Sequence, residues 1–146
     1  MRQDLKTSPL NGPLRTYIVE DSVLIRENLI ATLEELAPIE VVGTAEDEST
    51  ALQWLSQPGS RFDLVIVDIF LKDGSGLGVL KASYALPQQH KMVVLSNYAT
   101  PDIRRKCLEL GADSVFDKSN DIDTLIAYCH SLVAGGTAHG EPDELP

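Results

Sequence analysis

The segment Leu64-Val65-Ile66-Val67-Asp68 places four consecutive aliphatic residues directly before an acid. A short continuous apolar run is typical of a strand that is covered on both faces, as in the middle of a parallel sheet. Further β-rich runs occur at 16–20, 41–45, 92–96 and 114–117. The sequence therefore predicts five strands, with the run at 64–68 as the most central one.

The segments between these strands have helical patterns. After Ser22, apolar residues recur at the spacing of one helix face, at Ile25, Leu29, Leu33 and Leu36. Segments 47–57 and 121–134 show the same periodicity, and a short helix is expected before Pro87. Thr100-Pro101 is typical of a helix start, with Thr as N-cap and Pro at the first helical position. Strict alternation predicts an α/β fold with a doubly wound, five-stranded parallel sheet and five helices.

Length and composition limit what the chain does. Its 146 residues suit one domain, which we expect over 16–134, between a flexible leader (1–15) and a disordered acidic tail (135–146). A formal charge of −10 argues against binding the nucleic-acid backbone, which needs clustered Lys and Arg. With no membrane-length apolar run and no secretory pattern at the start, we expect a cytoplasmic protein without a membrane partner. Cys107 and Cys129 lack metal-binding spacing and are expected to be buried, reduced thiols.

Polar residues follow the predicted strands at the point where each one ends. They are Glu20 and Asp21, Asp68, Ser96, and Lys118. Any one of them could be an ordinary solvated strand exit. In a doubly wound fold, however, the carboxyl ends of the strands share one crevice, so we expect these side chains to converge there.

Such a convergence favours phosphoryl transfer. Three carboxylates that ionise near pH 4 would repel one another, and a hard cation such as Mg²⁺ would neutralise them. Lys118 adds a positive charge, and the Ser96 hydroxyl is suited to hydrogen-bond a phosphoryl group. Asp68 ends the most apolar strand and is the best candidate for a nucleophile that forms an aspartyl-phosphate.

This set of residues resembles the receiver domain of bacterial two-component response regulators. The matching segments are Ile18–Ser22, Val67–Leu71, Gly74–Leu77, Val94–Ser96, and Gly111–Asp113 leading to Asp117-Lys118. The resemblance covers about residues 15–134 and implies a flavodoxin-like (βα)5 fold.

Position by position, the resemblance implies a role for each site residue. Asp68 matches the phosphoacceptor. Asp21 matches a direct Mg²⁺ ligand, Glu20 a ligand that acts largely through water, and the Phe70 backbone carbonyl a further ligand. Ser96 matches the switch hydroxyl and Lys118 the phosphate-pairing lysine. The implied phosphoryl donor is a phosphohistidine on a histidine kinase or histidine phosphotransfer protein.

The chain departs from the family pattern in ways that concern switching and lifetime. Lys72 and Ser119 stand where many receivers have Pro, which should affect loop shape more than chemistry. The family's aromatic switch position holds Val115, while the adjacent Phe116 should point to the opposite face of its strand. Tyr98 is a candidate substitute, as are backbone shifts of the fourth helix.

Two bulky residues are expected beside the phosphoacceptor. If the family geometry holds, Phe70 and Tyr98 flank the path of a hydrolytic water. We therefore expect slow self-hydrolysis of the phosphoryl group and no true enzymatic turnover.

Only residues 135–146 follow the last predicted helix, which is too few for a DNA-binding domain. A stand-alone receiver with an output through protein contacts or onward phosphotransfer is expected. In the family, the face of the fourth helix, fifth strand and fifth helix makes such contacts. Here it would include Arg104, Arg105, Asn120 and Tyr128. A homodimer is left open.

Other functions are weighed against this one. Phosphatases with an aspartyl nucleophile have an Asp-x-Asp motif, in which the second acid acts as general acid. Here the position two after Asp68 is Phe70, which argues against this function. A receiver-shaped interaction module that is never phosphorylated would be marked by a lost acid or lysine, and neither is lost. A nucleotide-binding domain lacks support, because no glycine-rich phosphate motif follows the first strand.

Overall fold

The computed structural model describes residues 12–87 and 89–135. Its elements alternate along the chain and are β1 (Leu14–Val19), α1 (Val23–Leu36), β2 (Ile39–Ala45), α2 (Glu48–Leu55), β3 (Leu64–Val67), α3 (Gly76–Tyr84), β4 (Lys91–Ser96), α4 (Pro101–Glu109), β5 (Ser114–Asp117) and α5 (Ile122–Gly135). The strands pair in parallel in the order β2-β1-β3-β4-β5. The predicted doubly wound, five-stranded parallel sheet is confirmed.

The central position of β3 explains its unbroken apolar sequence. The strand lies between β1 and β4, and each of its four residues is at most 1% exposed. Val65 and Val67 face a core formed with α2, α3 and α4, whereas Leu64 and Ile66 face a second core formed with α1 and α5. Burying each aliphatic side chain contributes about 1.5–3 kcal/mol, so both faces of this strand stabilise the fold.

Side-chain caps begin the helices close to where the sequence predicts. The side chains of Ser22, Asp47, Ser75 and Thr100 accept hydrogen bonds from backbone amides in the first turns of α1, α2, α3 and α4. Pro101 occupies the first turn of α4, as expected. After α4, Gly111 adopts a φ of 107°, a left-handed conformation that glycine adopts without a steric penalty.

Several boundaries differ by a few residues from the sequence-based ones. β1 starts at Leu14, two residues inside the expected leader, because the Leu14 amide donates to Pro38 O at 2.7 Å and Leu14 pairs with Ile39. This pairing also starts β2 at Ile39 rather than at Val41. α5 extends to Gly135. The rest of the expected leader, residues 1–11, and the tail from 136 onward lie outside the described residues.

The two cysteines are buried free thiols, as predicted. Cys107 of α4 belongs to one core and Cys129 of α5 to the other, so the sheet separates them. Within residues 12–87 and 89–135, the helices are too short or too polar to cross a membrane.

Candidate functional site

Three carboxylates meet at the carboxyl ends of β1 and β3. Glu20 and Asp21 directly follow β1, Asp68 directly follows β3, and one oxygen of each lies within 4.8 Å of the others. Glu20 is 2% exposed and Asp68 is 8% exposed, whereas Asp21 is half-buried. The adjacency of β1 and β3 brings these acids together, and the expected convergence is therefore present in the structure.

Lys118 bridges two of these carboxylates. Its Nζ donates to Glu20 Oε1 at 2.5 Å and to Asp68 Oδ2 at 2.9 Å, and only 11% of its side chain is exposed. The residue follows β5, and its amide donates to Ser96 O at 3.0 Å, which ties it to the end of β4. The ammonium therefore reaches across the sheet from its edge to the two innermost acids.

The environment shifts the pKa values of Glu20 and Lys118. Burial raises the pKa of the Glu20 carboxyl above its ordinary value, and hydrogen bonds from Lys118 and the Ser22 amide offset this only in part. Burial alone would lower the pKa of Lys118, but its bonds to Glu20 and Asp68 outweigh this and raise it. One ammonium among three carboxylates leaves two formal negative charges if every group is ionised.

Backbone amides orient each carboxylate. Asp68 Oδ1 accepts from the Phe70 amide at 3.1 Å, and Glu20 Oε2 accepts from the Ser22 amide at 3.1 Å. Asp21 Oδ2 accepts from the Lys72 amide at 2.7 Å. Proline has no N–H, so the departure at position 72 provides a contact to an acid of the site, beyond the expected effect on loop shape.

Ser96 lies buried at the end of β4. Its Oγ accepts from the Tyr98 amide at 3.0 Å, so the hydroxyl is bonded to the loop that leads into α4. Its own proton is not used in that bond and is available to donate to an acceptor.

Phe70 and Tyr98, whose backbone amides donate to the side chains of Asp68 and Ser96, form an aromatic pair. Their ring centroids are 5.3 Å apart with an interplanar angle of 82°, an edge-to-face arrangement. The two residues are 48% and 63% exposed, so the pair lies at the surface of the site. The structure thus brings together the two bulky residues that the sequence places after Asp68 and Ser96.

Val115 and Phe116 point to opposite faces of the sheet, as their alternation in β5 predicts. Val115 packs in the core with α4, whereas Phe116 packs in the other core against Tyr128, with ring centroids 5.7 Å apart. Burial raises the pKa of the Tyr128 hydroxyl. An aromatic ring is therefore missing at the position of β5 that faces α4.

The histidines lie away from the acids where the structure describes them. His90 Nε2 is 2.7 Å from Ser83 Oγ, and its ring packs edge-on against Phe62. His130 Nε2 is 3.0 Å from Leu36 O, at the end of α1. His139 lies outside the described residues.

Two arginines contribute contacts that the sequence analysis missed. Arg26 donates to Glu20 O at 3.0 Å and pairs with Glu46 at 3.1 Å, which joins the ends of β1 and β2. Arg104 was placed only on an outer face, yet its guanidinium donates to the backbone of two other segments. The Arg26 pair could have been found from the adjacency of the two strands, whereas no local pattern indicates the bonds of Arg104.

Residues 16–130 match the family model of the response regulator receiver domain, which covers most of the chain. The chain belongs to the response regulator receiver family. This match confirms the family that the sequence motifs indicate.

Receiver proteins of several kinds are similar to this chain. A probable transcriptional regulatory protein of Picosynechococcus is 31% identical over 139 residues, which cover 89% of this chain and 55% of that protein. A protein-glutamate methylesterase/protein-glutamine glutaminase of Myxococcus xanthus is 27% identical, with 92% of this chain and 41% of that protein covered. The chain also resembles the crystal structure of the phosphorylated cyanobacterial phytochrome response regulator RcpA, with a TM-score of 0.64 and 28% sequence identity. The match covers 82% of this chain and 91% of the RcpA chain. This receiver spans about half the length of the curated relatives named here.

Receiver domains bind Mg²⁺ at an acidic site, and the residues of this receiver fit such an ion. Mg²⁺ prefers oxygen ligands and is usually bound by a few carboxylates together with water and phosphate oxygens. Glu20, Asp21 and Asp68 offer three carboxylate oxygens within 4.8 Å of one another, two of the acids being nearly buried. A divalent cation would balance the two formal negative charges that Lys118 leaves.

Proposed function

We propose that this receiver accepts a phosphoryl group on Asp68 from a phosphohistidine of a histidine kinase or a histidine phosphotransfer protein. The observation that carries the proposal is the convergence of Glu20, Asp21 and Asp68 with Lys118 bonded between two of them. Family membership supports the same assignment, as does the phosphorylated state named for the RcpA structure.

In the proposed reaction, Asp68 acts as the nucleophile. An oxygen of its carboxylate forms a bond to phosphorus while the phosphorus–nitrogen bond of the phosphohistidine breaks, and the imidazole leaves with that electron pair. The products are an acyl phosphate on Asp68 and a neutral histidine once the leaving nitrogen has gained a proton. The Phe70 amide at 3.1 Å holds the carboxylate in one orientation, which favours attack from a defined position.

Glu20, Asp21, Asp68 and the backbone carbonyl of Phe70 would hold Mg²⁺. When bound, the ion would neutralise negative charge on the phosphoryl oxygens. The Lys72 amide would keep Asp21 oriented toward the site, through the bond of 2.7 Å.

Lys118 and Ser96 would bind the transferred group. Lys118 already donates to Asp68 at 2.9 Å, so its ammonium lies next to the carboxylate that would carry the phosphoryl group. Ser96 would donate its hydroxyl proton to a phosphoryl oxygen while its oxygen still accepts from the Tyr98 amide. Both contacts stabilise charge that the phosphoryl group brings into a nearly buried site.

We further propose that Phe70 and Tyr98 slow the loss of the phosphoryl group. Hydrolysis needs a water molecule in line with the acyl phosphate bond. The ring faces of this edge-to-face pair present apolar surface near that path, and Phe70, which follows Asp68 by two residues, has no polar side-chain group that could orient the water. The signal would therefore be long-lived.

The proposed output is a protein contact on the α4–β5–α5 face. Arg105 and Asn120 are exposed on this face, whereas Arg104 and Tyr128 are partly buried. A formal charge of −10 makes direct contact with the nucleic-acid backbone unfavourable.

The test is incubation with Mg²⁺ and acetyl phosphate, followed by intact mass spectrometry. The wild-type protein is expected to gain one phosphoryl group, and Asp68→Asn is expected to gain none. Asp73→Asn, which changes an exposed acid in the following loop, serves as the matched control and should be phosphorylated like the wild type. Equal labelling of wild type and Asp68→Asn, or no labelling of the wild type, would contradict the proposal.

A further inference from the structure

Arg104 of α4 joins three segments of the chain. Its Nε donates to Ala99 O at 3.0 Å, in the loop that follows Ser96. Its Nη1 donates to Val115 O in β5 at 2.9 Å, and its Nη2 lies 3.7 Å from Asp121 Oδ2, just before α5. Three nitrogens of one planar group therefore each face a different segment.

Arg104 and Asp121 provide hydrogen-bond partners for backbone groups on the outer side of β5. Among residues 12–87 and 89–135, β5 is an edge strand that pairs only with β4, so its outward backbone groups need other partners. Arg104 supplies the donor for Val115 O, and the Asp121 carboxylate accepts from the Asp117 amide at 2.9 Å. Because Arg104 and Asp121 also face each other, a shift of the loop before α4 would reach both β5 and α5.

The same loop begins at the phosphoacceptor site. Ser96 Oγ accepts from the Tyr98 amide, and Ala99, the acceptor of Arg104, is the next residue. A phosphoryl group that draws Ser96 toward Asp68 would therefore move the carbonyl that Arg104 holds. On β5, Val115 leaves no aromatic ring to transmit that movement, and Phe116 faces the other core.

We propose that Arg104 couples phosphorylation at Asp68 to the α4–β5–α5 face, by positioning the loop after β4 against β5 and the start of α5. The inference rests on the proposed function, because it names how the same site would control that face. The arginine side chain is 41% exposed, and its ion pair is long, so charge alone contributes little. The coupling depends on the planar guanidinium, whose nitrogens face three segments at once. The ammonium of a lysine cannot reproduce that geometry.

The experiment follows backbone amide chemical shifts of the full ¹⁵N-labelled chain with and without Mg²⁺ and acetyl phosphate. The variants are Arg104→Met and Arg104→Lys. Arg105→Met is the matched control, because Arg105 lies next to Arg104 in α4 but pairs with Asp102 within that helix at 2.9 Å. Intact mass gives the fraction phosphorylated, so that shifts are compared at equal phosphorylation.

We expect phosphorylation to shift the amides of Val115, Asp117 and Ile122 in the wild type. Both Arg104 variants should lose at least half of that shift, and Arg105→Met should keep it. If Arg104→Met does not fold, Arg104→Lys provides the comparison. The inference would be overturned if the Arg104 variants kept the full phosphorylation-dependent amide shift, or if Arg105→Met lost as much of it as they do. Either result would leave the proposed function intact. A wild-type protein that takes up no phosphoryl group would overturn both the inference and the proposed function.

Discussion

Lys118→Met removes an ammonium that lies between two nearly buried acids. The Lys118 Nζ is 2.5 Å from Glu20 Oε1 and 2.9 Å from Asp68 Oδ2. The exposed fractions of the three side chains are 11%, 3% and 10%. Methionine keeps most of the apolar stem, so the substitution mainly removes charge and hydrogen-bond donors.

The expected loss of stability is large for a single substitution. Removing one partner of a buried ion pair costs about 3–5 kcal/mol, because the remaining charge is left without compensation. The site opens to solvent on the side of half-buried Asp21, so we expect a value near the lower end, about 3 kcal/mol. With an m-value of about 2 kcal/mol per molar urea, the unfolding midpoint should fall by about 1.5 M.

Urea unfolding can be followed through the fluorescence of Trp54, whose ring stacks on Tyr17 with centroids 4.0 Å apart. Lys91→Met is the matched control. Lys91 pairs with Asp113 at 3.9 Å and is more exposed, so its loss should cost only about 0–1 kcal/mol. Mg²⁺ should restore more stability to Lys118→Met than to the control, because the ion replaces the missing positive charge.

Lower pH should reduce the deficit of Lys118→Met. Burial raises the pKa of Glu20, and the two contributions of Lys118 that lower it are lost in the variant. An acid with a raised pKa in the folded state binds more protons when folded, so stability is lost as pH rises through that pKa. The deficit should therefore be smaller at pH 5 than at pH 7. Without Mg²⁺, a stability deficit at pH 7 no larger than that of Lys91→Met, or a deficit that grows at pH 5, would contradict this prediction.

Three further predictions concern packing, thiol reactivity and phosphoryl lifetime. Gly76→Ala should destabilise the protein by about 1–3 kcal/mol in urea unfolding, because the new Cβ would lie 2.2 Å from the backbone oxygen of Asp68. Gly78→Ala meets only the end of a flexible glutamate and should cost less; equal losses would contradict this. Burial raises the pKa of Cys129 to about 12. The thiol of the folded protein should therefore not react with Ellman's reagent at pH 8 until urea unfolds the chain. Rapid labelling of Cys129 in the folded protein would contradict its burial. Phe70→Asn should shorten the phosphoryl lifetime measured by intact mass after removal of acetyl phosphate, and the prediction fails if wild type and variant decay at the same rate.

Much of the fold could be predicted because its signals are local. The run 64–67 is buried on both faces and indeed forms the central strand. Thr100 caps α4 as the sequence predicts, and α1 begins directly after Ser22, where the apolar periodicity starts. The strand starts were less accurate, because Leu14 and Ile39 join the sheet by pairing with each other, and this contact spans a whole helix.

The site could be predicted in its composition but not in its bonding. A parallel sheet brings the carboxyl ends of its strands to one edge, so Glu20, Asp21 and Asp68 could be grouped from the sequence. The Lys72 amide on Asp21 could not be predicted in the same way, because it depends on the exact path of the loop after β3.

Residue order alone determined the alternation of strands and helices, the acids that follow β1 and β3, and the opposite faces of Val115 and Phe116, because periodicity and caps act over a few neighbouring residues. Long-range packing brings Lys118 to carboxylates 98 and 50 positions away and lets Arg104 join three segments. Such contacts depend on strand order and on the direction of long side chains, which short-range sequence patterns do not encode.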